Sequence, residues 1–180
     1  MTSTLERTGP SIELINSAVY PHYHQMLLTN APKADEARLD AIVEIAHETS
    51  TAELLTLFHG DWRAEVMAGW IASATSNRDI TTATLTALAS PTFSLTVPPL
   101  AAAAITLAEW RAMPSLVRCY AGTFEDIPEA AGFVRAATQH LAKRYRAENP
   151  FHLPPQRERV RFEETLEVAQ RLTSKSSRRR

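Results

Sequence analysis

Apolar positions recur every three to four residues through most of this chain, a spacing that predicts helices rather than strands. Between residues 34 and 48, Leu39, Ile42, Val43, Ile45 and Ala46 form one stripe. Asp35, Glu36, Arg38, Asp40 and Glu44 fill the other side, as on an amphipathic helix. Ser50 and Glu53 have capping-box spacing ahead of Leu54, Leu55 and Phe58, with Gly60 as the stop. Asp61 is placed to cap a helix over Trp62–Ala74. That segment, and Leu100–Arg111 reached through Pro98 and Pro99, carry few polar residues on any face. A helix apolar nearly all round is buried by neighbours on several sides.

The remaining elements follow from weaker signals. Ile12, Leu14, Ile15 and Val19 predict a short helix ending before Pro21. A second helix opens at Pro21, with Tyr23, Met26 and Leu27 on one face. Asp79–Leu88 is threonine-rich and reads as a helix, with strand as the alternative because β-branched residues lower helix propensity. Pro91–Val97 is proline-bounded and reads as loop, Ser115–Tyr120 as a short helix and Pro128–Glu148 as a long one. Phe133, Val134, Ala137 and Leu141 form the stripe of the long helix. A linker over 149–155 precedes a last helix, Arg157–Leu172.

The expected organisation is a flexible lead-in at 1–10, one helical domain at 11–172 and a disordered basic tail at 173–180. Trp70 and Trp110 mark the two apolar helices 40 residues apart. The fold class is all-α: a short HEAT-like α-solenoid, or an irregular helical bundle.

Composition narrows the function. With 44% apolar residues and only five glycines in 180, the chain can build a sizeable helical core. Charge is uneven: residues 1–150 hold 11 basic against 16 acidic side chains, a net of −5, whereas 151–180 hold 8 against 4. An acidic body repels phosphate backbones, so nucleic acid is not an expected partner. The single cysteine, Cys119, excludes an intrachain disulfide. Met1–Pro10 lacks a signal-peptide apolar run, and Leu100–Leu107 is too short to span a membrane. The expected location is the cytoplasm, with no membrane association.

Val19-Tyr20-Pro21-His22-Tyr23 followed by Leu27, Asp61-Trp62-Arg63 and Ala68-Gly69-Trp70 resemble a bacterial protein family of unknown function. The resemblance covers about residues 19–112 and includes the Ala-rich helix at Leu100–Leu107. Where that family has a Tyr-Gly turn, this chain has Phe93-Ser94-Leu95-Thr96. The resemblance implies HEAT-like helical repeats and, by analogy with small bacterial helical proteins, an immunity or antitoxin role.

Candidate binding residues are Asp61, Trp62, Arg63, Trp70, Trp110 and Arg111, because Trp and Arg anchor many protein interfaces. As structural elements, Asp61 is a cap, Trp62 a core anchor and Arg63 an ion-pair partner. His22-x-His24 lacks metal-ligand spacing, and His47 and His59 stand alone. Cys119, beside Arg118, reads as a buried cysteine. Glu125, Asp126 and Glu129 suit a helix start, and Lys143, Arg144, Tyr145 and Arg146 a helix end. No phosphate loop, nucleophile elbow or zincin motif occurs. Neither catalytic residue, metal nor cofactor is expected.

Two functions follow. The first is a protein-binding module, an immunity-type or antitoxin-type inhibitor that covers a basic toxin. The alternative is a HEAT-like DNA glycosylase, which would need Arg63, Arg78, Arg111 and Arg118 along one concave face.

Overall fold

The computed structural model describes residues 9–27, 29–122 and 127–179; Met1–Thr8 of the expected lead-in, and Glu125 and Asp126, lie outside them. The described residues are helical or in turns and loops. The helices are α1 (Ile12–Leu14), α2 (Glu36–Glu48), α3 (Thr51–Leu57), α4 (Trp62–Ser73), α5 (Arg78–Ala89), α6 (Val97–Ala108), α7 (Met113–Gly122), α8 (Pro128–Tyr145) and α9 (Gln156–Arg178).

Capping chemistry sets the starts. Asp35, Asp61 and Asn77 side chains accept backbone N–H groups of the first turns of α2, α4 and α5. Ser50 and Glu53 form the reciprocal capping box of α3. The threonine-rich segment is helical, not a strand. The hydroxyls of Thr81, Thr82, Thr84 and Thr86 each donate to the carbonyl four residues back, at 2.8–3.0 Å. Their polar needs are thus met inside the helix.

The two helices with little polar surface form the centre. Ala64 through Ser73 of α4 are all buried, as are Val97 through Ile105 of α6. They pack through small side chains, with Gly69 against the backbone of Pro99 and Leu100. A Cβ at Gly69 would sit 2.9 Å from the Pro99 carbonyl carbon. Gly69→Ala gains about 1 kcal/mol of helix propensity but forces α4 and α6 apart at a cost of about 1–3 kcal/mol. The expected net is a lower urea midpoint; a higher one would mean the helices can separate freely.

The C-terminal segment departs from expectation. Of the expected tail, Thr173–Arg178 are helical, because α9 continues through Arg178. Residues Arg171, Lys175 and Arg179, one turn apart, meet Glu36 and Asp40, one turn apart on α2. Lys175 Nζ lies 2.8 Å from Glu36 and 2.7 Å from Asp40, Arg179 lies 3.6 Å from Asp40, and Arg171 also pairs with Glu36. The Thr173 hydroxyl donates to the Ser73 carbonyl at 2.6 Å, and Ser176 Oγ meets His47 Nε2 at 3.0 Å. Acidic charge on α2 offsets the basic run that would otherwise favour disorder. Contact between the last helix and the second closes the helices into a bundle. In an open solenoid, contacts stay between sequence neighbours.

The 40-residue spacing of tryptophans has no structural counterpart. Trp70 is 1% exposed inside α4, whereas Trp110 is 38% exposed and lies beyond the end of α6. The apolar helix ends at Ala108, not Arg111, because Glu109 takes φ 51° and turns the chain.

Candidate functional site

α4 begins at the surface, and Trp62 in its first turn joins Tyr23 and Phe93 in an aromatic cluster. Asp61 accepts the backbone N–H groups of Arg63 and Ala64 at 2.9 and 3.0 Å. With the start fixed in this way, Trp62 and Arg63 project side by side. The Arg63 guanidinium lies 4.5 Å from the Trp62 ring centroid and 5.6 Å from that of Tyr23, while pairing with Asp61 at 3.2 Å. Trp62 meets Tyr23 edge-on at 6.0 Å and Phe93 at 6.1 Å. Phe93 is 49% exposed. Tyr23, Trp62 and Phe93 thus form a row of rings with a stacked cation.

The turns that carry the two outer rings are held from behind. Trp70 donates its indole N–H to the Met26 carbonyl at 2.8 Å, pinning the 3-10 turn Tyr23–Met26 that presents Tyr23. Glu65, one turn after Trp62, accepts the Thr92 backbone N–H at 3.1 Å and the Thr92 hydroxyl, pinning the residue before Phe93. Trp70 is therefore a core and positioning residue, and its expected place among the binding residues is corrected. A tryptophan in the middle of a helix without polar faces has no route to solvent.

Glu65 is 1% exposed, and burial raises its pKa against the lowering effect of its bonds to Thr92 and Thr96. A folded-state pKa above the unfolded value favours the protonated protein. That stability is fully present below the ordinary carboxylate range and is lost as pH rises through the folded pKa. Glu65→Gln keeps an oxygen for Thr92 without the charge. The variant should match the wild type near about pH 3, below the ordinary glutamate value, and exceed it in denaturant midpoint at neutral pH. A pH-independent difference would show that Glu65 titrates normally.

Trp110 and Arg111 form a separate cluster at the far side of α6. Trp110 packs against Tyr145 at 5.6 Å, and both are 38% exposed. The Tyr145 hydroxyl donates to Glu109 at 2.8 Å, and Arg144 pairs with the same carboxylate at 3.2 Å. The basic residues Arg144 and Tyr145's neighbour Lys143 close α8, where Arg146 turns left-handed at φ 53°. Arg111 is exposed beside Trp110. The six expected binding residues thus divide into Asp61, Trp62 and Arg63 on one face, Trp110 and Arg111 on another, and Trp70 in the core.

Other candidates resolve as structure. His22 is half-buried with Nδ1 2.8 Å from Arg38, and burial, then Arg38, lower its pKa. His24 is exposed. Burial pushes the Cys119 thiol up to about 12, so it holds its proton and is no thiolate nucleophile. Among the described residues, no three His, Cys, Asp or Glu side chains converge on a common point. Arg63 and Arg78 open α4 and α5 at opposite ends of a 12-residue helix, about 18 Å apart by helical rise.

Tyr23, Phe93 and Glu65 were not legible as site residues. Tyr23 reads as one apolar position of a short helix, Phe93 as part of a proline-bounded loop, and Glu65 as a polar position on α4. The aromatic run Tyr23, Trp62 and Phe93 spans three segments, and only folding joins them. No helix among the described residues is long and apolar enough to cross a membrane. Compared with family models, with curated proteins and with solved structures, the chain matches none.

Proposed function

We propose that the protein is a docking module for another protein, with Tyr23, Trp62, Arg63 and Phe93 as its contact face. The observation that carries this reading is the aromatic row with its stacked arginine, in which Phe93 is exposed and Tyr23 and Trp62 are half-buried. Rigid aromatic rings and arginine supply most of the energy of protein interfaces at little conformational cost. The row is pre-organised: Trp70 and Glu65 fix the two turns that carry its ends, which lowers the entropy lost on docking.

The net −5 charge of residues 1–150 favours a basic partner, because opposite charge speeds association. An inhibitor that covers a basic, toxin-like enzyme in the bacterial cytoplasm suits this charge. The family resemblance over residues 19–112 adds the same analogy.

The test is affinity capture from lysate at low and physiological salt, with wild type and Phe93→Ala run side by side. One stoichiometric protein that survives physiological salt and is lost from Phe93→Ala is the expected result. Partners captured equally by both, or lost together in salt, would place binding elsewhere or reduce it to unspecific charge attraction.

A further inference from the structure

The aromatic row carries hydrogen-bonding groups that the fold leaves unused. Among the described residues no hydrogen bond engages the Trp62 indole N–H, and that nitrogen is not sealed from solvent. An indole nitrogen can only donate. The Tyr23 hydroxyl interacts with the Arg63 guanidinium, which has no acceptor, so the tyrosine oxygen keeps its own hydrogen to give. Arg63 commits one nitrogen to Asp61 and holds further N–H groups beyond it. The polar atoms of Tyr23, Trp62 and Arg63 therefore offer hydrogens. They lie among apolar ring surface that includes Phe93, 49% exposed.

This combination suits a polyproline II chain better than a helix. An α-helix turns its backbone carbonyls onto its own N–H groups, so the three donors would find no main-chain acceptor on it. A polyproline II segment has no internal hydrogen bonds, and its carbonyls stand open along the chain. Its prolines carry no N–H that would need an acceptor from the row. Their rings are apolar, and the chain is stiff before it docks, so little entropy is lost. It rises about 3.1 Å per residue, so each ring-to-ring step of the row, 6.0 and 6.1 Å, corresponds to two of its residues. Charge complementarity sets the flank. The Asp61 side chain beside Trp62 is 50% exposed, and residues 1–150 carry a net −5. A basic residue next to the prolines is the complement.

We infer that the contact face takes a proline-rich segment in the polyproline II conformation, flanked by lysine or arginine. Its prolines pack on Tyr23, Trp62 and Phe93. Its carbonyls accept from the Trp62 indole, the Tyr23 hydroxyl and Arg63, and its basic flank meets Asp61. This inference rests on the docking reading above and names the chemistry of the partner at that same face.

The experiment titrates the isotope-labelled full chain, at physiological salt, with an acetylated decaproline peptide ending in two arginines. The indole N–H resonances of the three tryptophans and the backbone amides report binding. A saturable shift of the Trp62 indole with Trp110 unmoved is expected, and none with a glycine–serine peptide carrying the same two arginines. Phe93→Ala should raise the dissociation constant by at least about tenfold. Trp62→Phe, which keeps a ring and removes the donor, should raise it by at least about threefold. An equal response to the glycine–serine peptide, or undiminished binding to both variants, would overturn the inference. So would tighter binding of a basic amphipathic helical peptide at the same rings. If the proline peptide fails to bind while Phe93→Ala still loses a partner captured from lysate, the inference falls and the contact face stands. If neither effect is seen, both fall.

Discussion

Trp70→Ala is expected to remove about 3–5 kcal/mol of stability, the usual cost of deleting a large buried aromatic side chain. A domain holds only about 5–15 kcal/mol, so this variant should unfold at low urea or lose cooperativity. Two losses combine. The indole is 1% exposed at the centre of α4, and its N–H holds the Met26 carbonyl at 2.8 Å. Trp70→Phe separates them, because it keeps much of the ring volume but leaves that carbonyl unpaired, at about 1–3 kcal/mol. The expected order of urea midpoints is wild type, then phenylalanine, then alanine. An alanine variant within about 1 kcal/mol of wild type would show that the cavity collapses or that the indole is not central.

Trp62→Ala is expected to weaken the partner complex by at least about thirtyfold, the scale of an interface hot spot of about 2 kcal/mol. Trp62 sits between Tyr23 and Phe93 and beneath the Arg63 guanidinium, so its loss breaks the row in the middle. It is half-buried, and some stability falls with it. Phe93→Ala, at 49% exposure, separates the two effects: it should weaken binding with little change in unfolding midpoint. Trp110→Ala, on the other cluster, should leave affinity within about threefold, as surface changes outside an interface do. The reverse pattern, with Trp110 essential and Trp62 neutral, would move the contact face to the end of α6.

The elements were largely legible because their signals are local. Asp61 lies next to the turn it caps, and Ser50 and Glu53 cap α3 reciprocally. The lack of polar faces in Trp62–Ala74 and at Leu100 announced the two central helices that the structure buries. Boundaries failed where a single backbone conformation decided them. Nothing in Glu109 or Arg146 signals a positive φ, yet both end helices short of the expected residue.

The sequence by itself determined the all-helical class, the capped starts of α3 and α4 and which helices lack a polar face, since caps and periodicity act within a turn or two of the chain. Tertiary structure decided the rest. It sent Trp70 inward and left Trp110 at the surface, although both follow apolar helical runs. It made Thr173–Arg178 part of the last helix, because the matching carboxylates stand on α2, 135 residues away. It also gathered Tyr23, Trp62 and Phe93 into one cluster and buried Glu65 against Thr92. Burial and charge pairing depend on what arrives from distant segments, and that is fixed only when the helices pack.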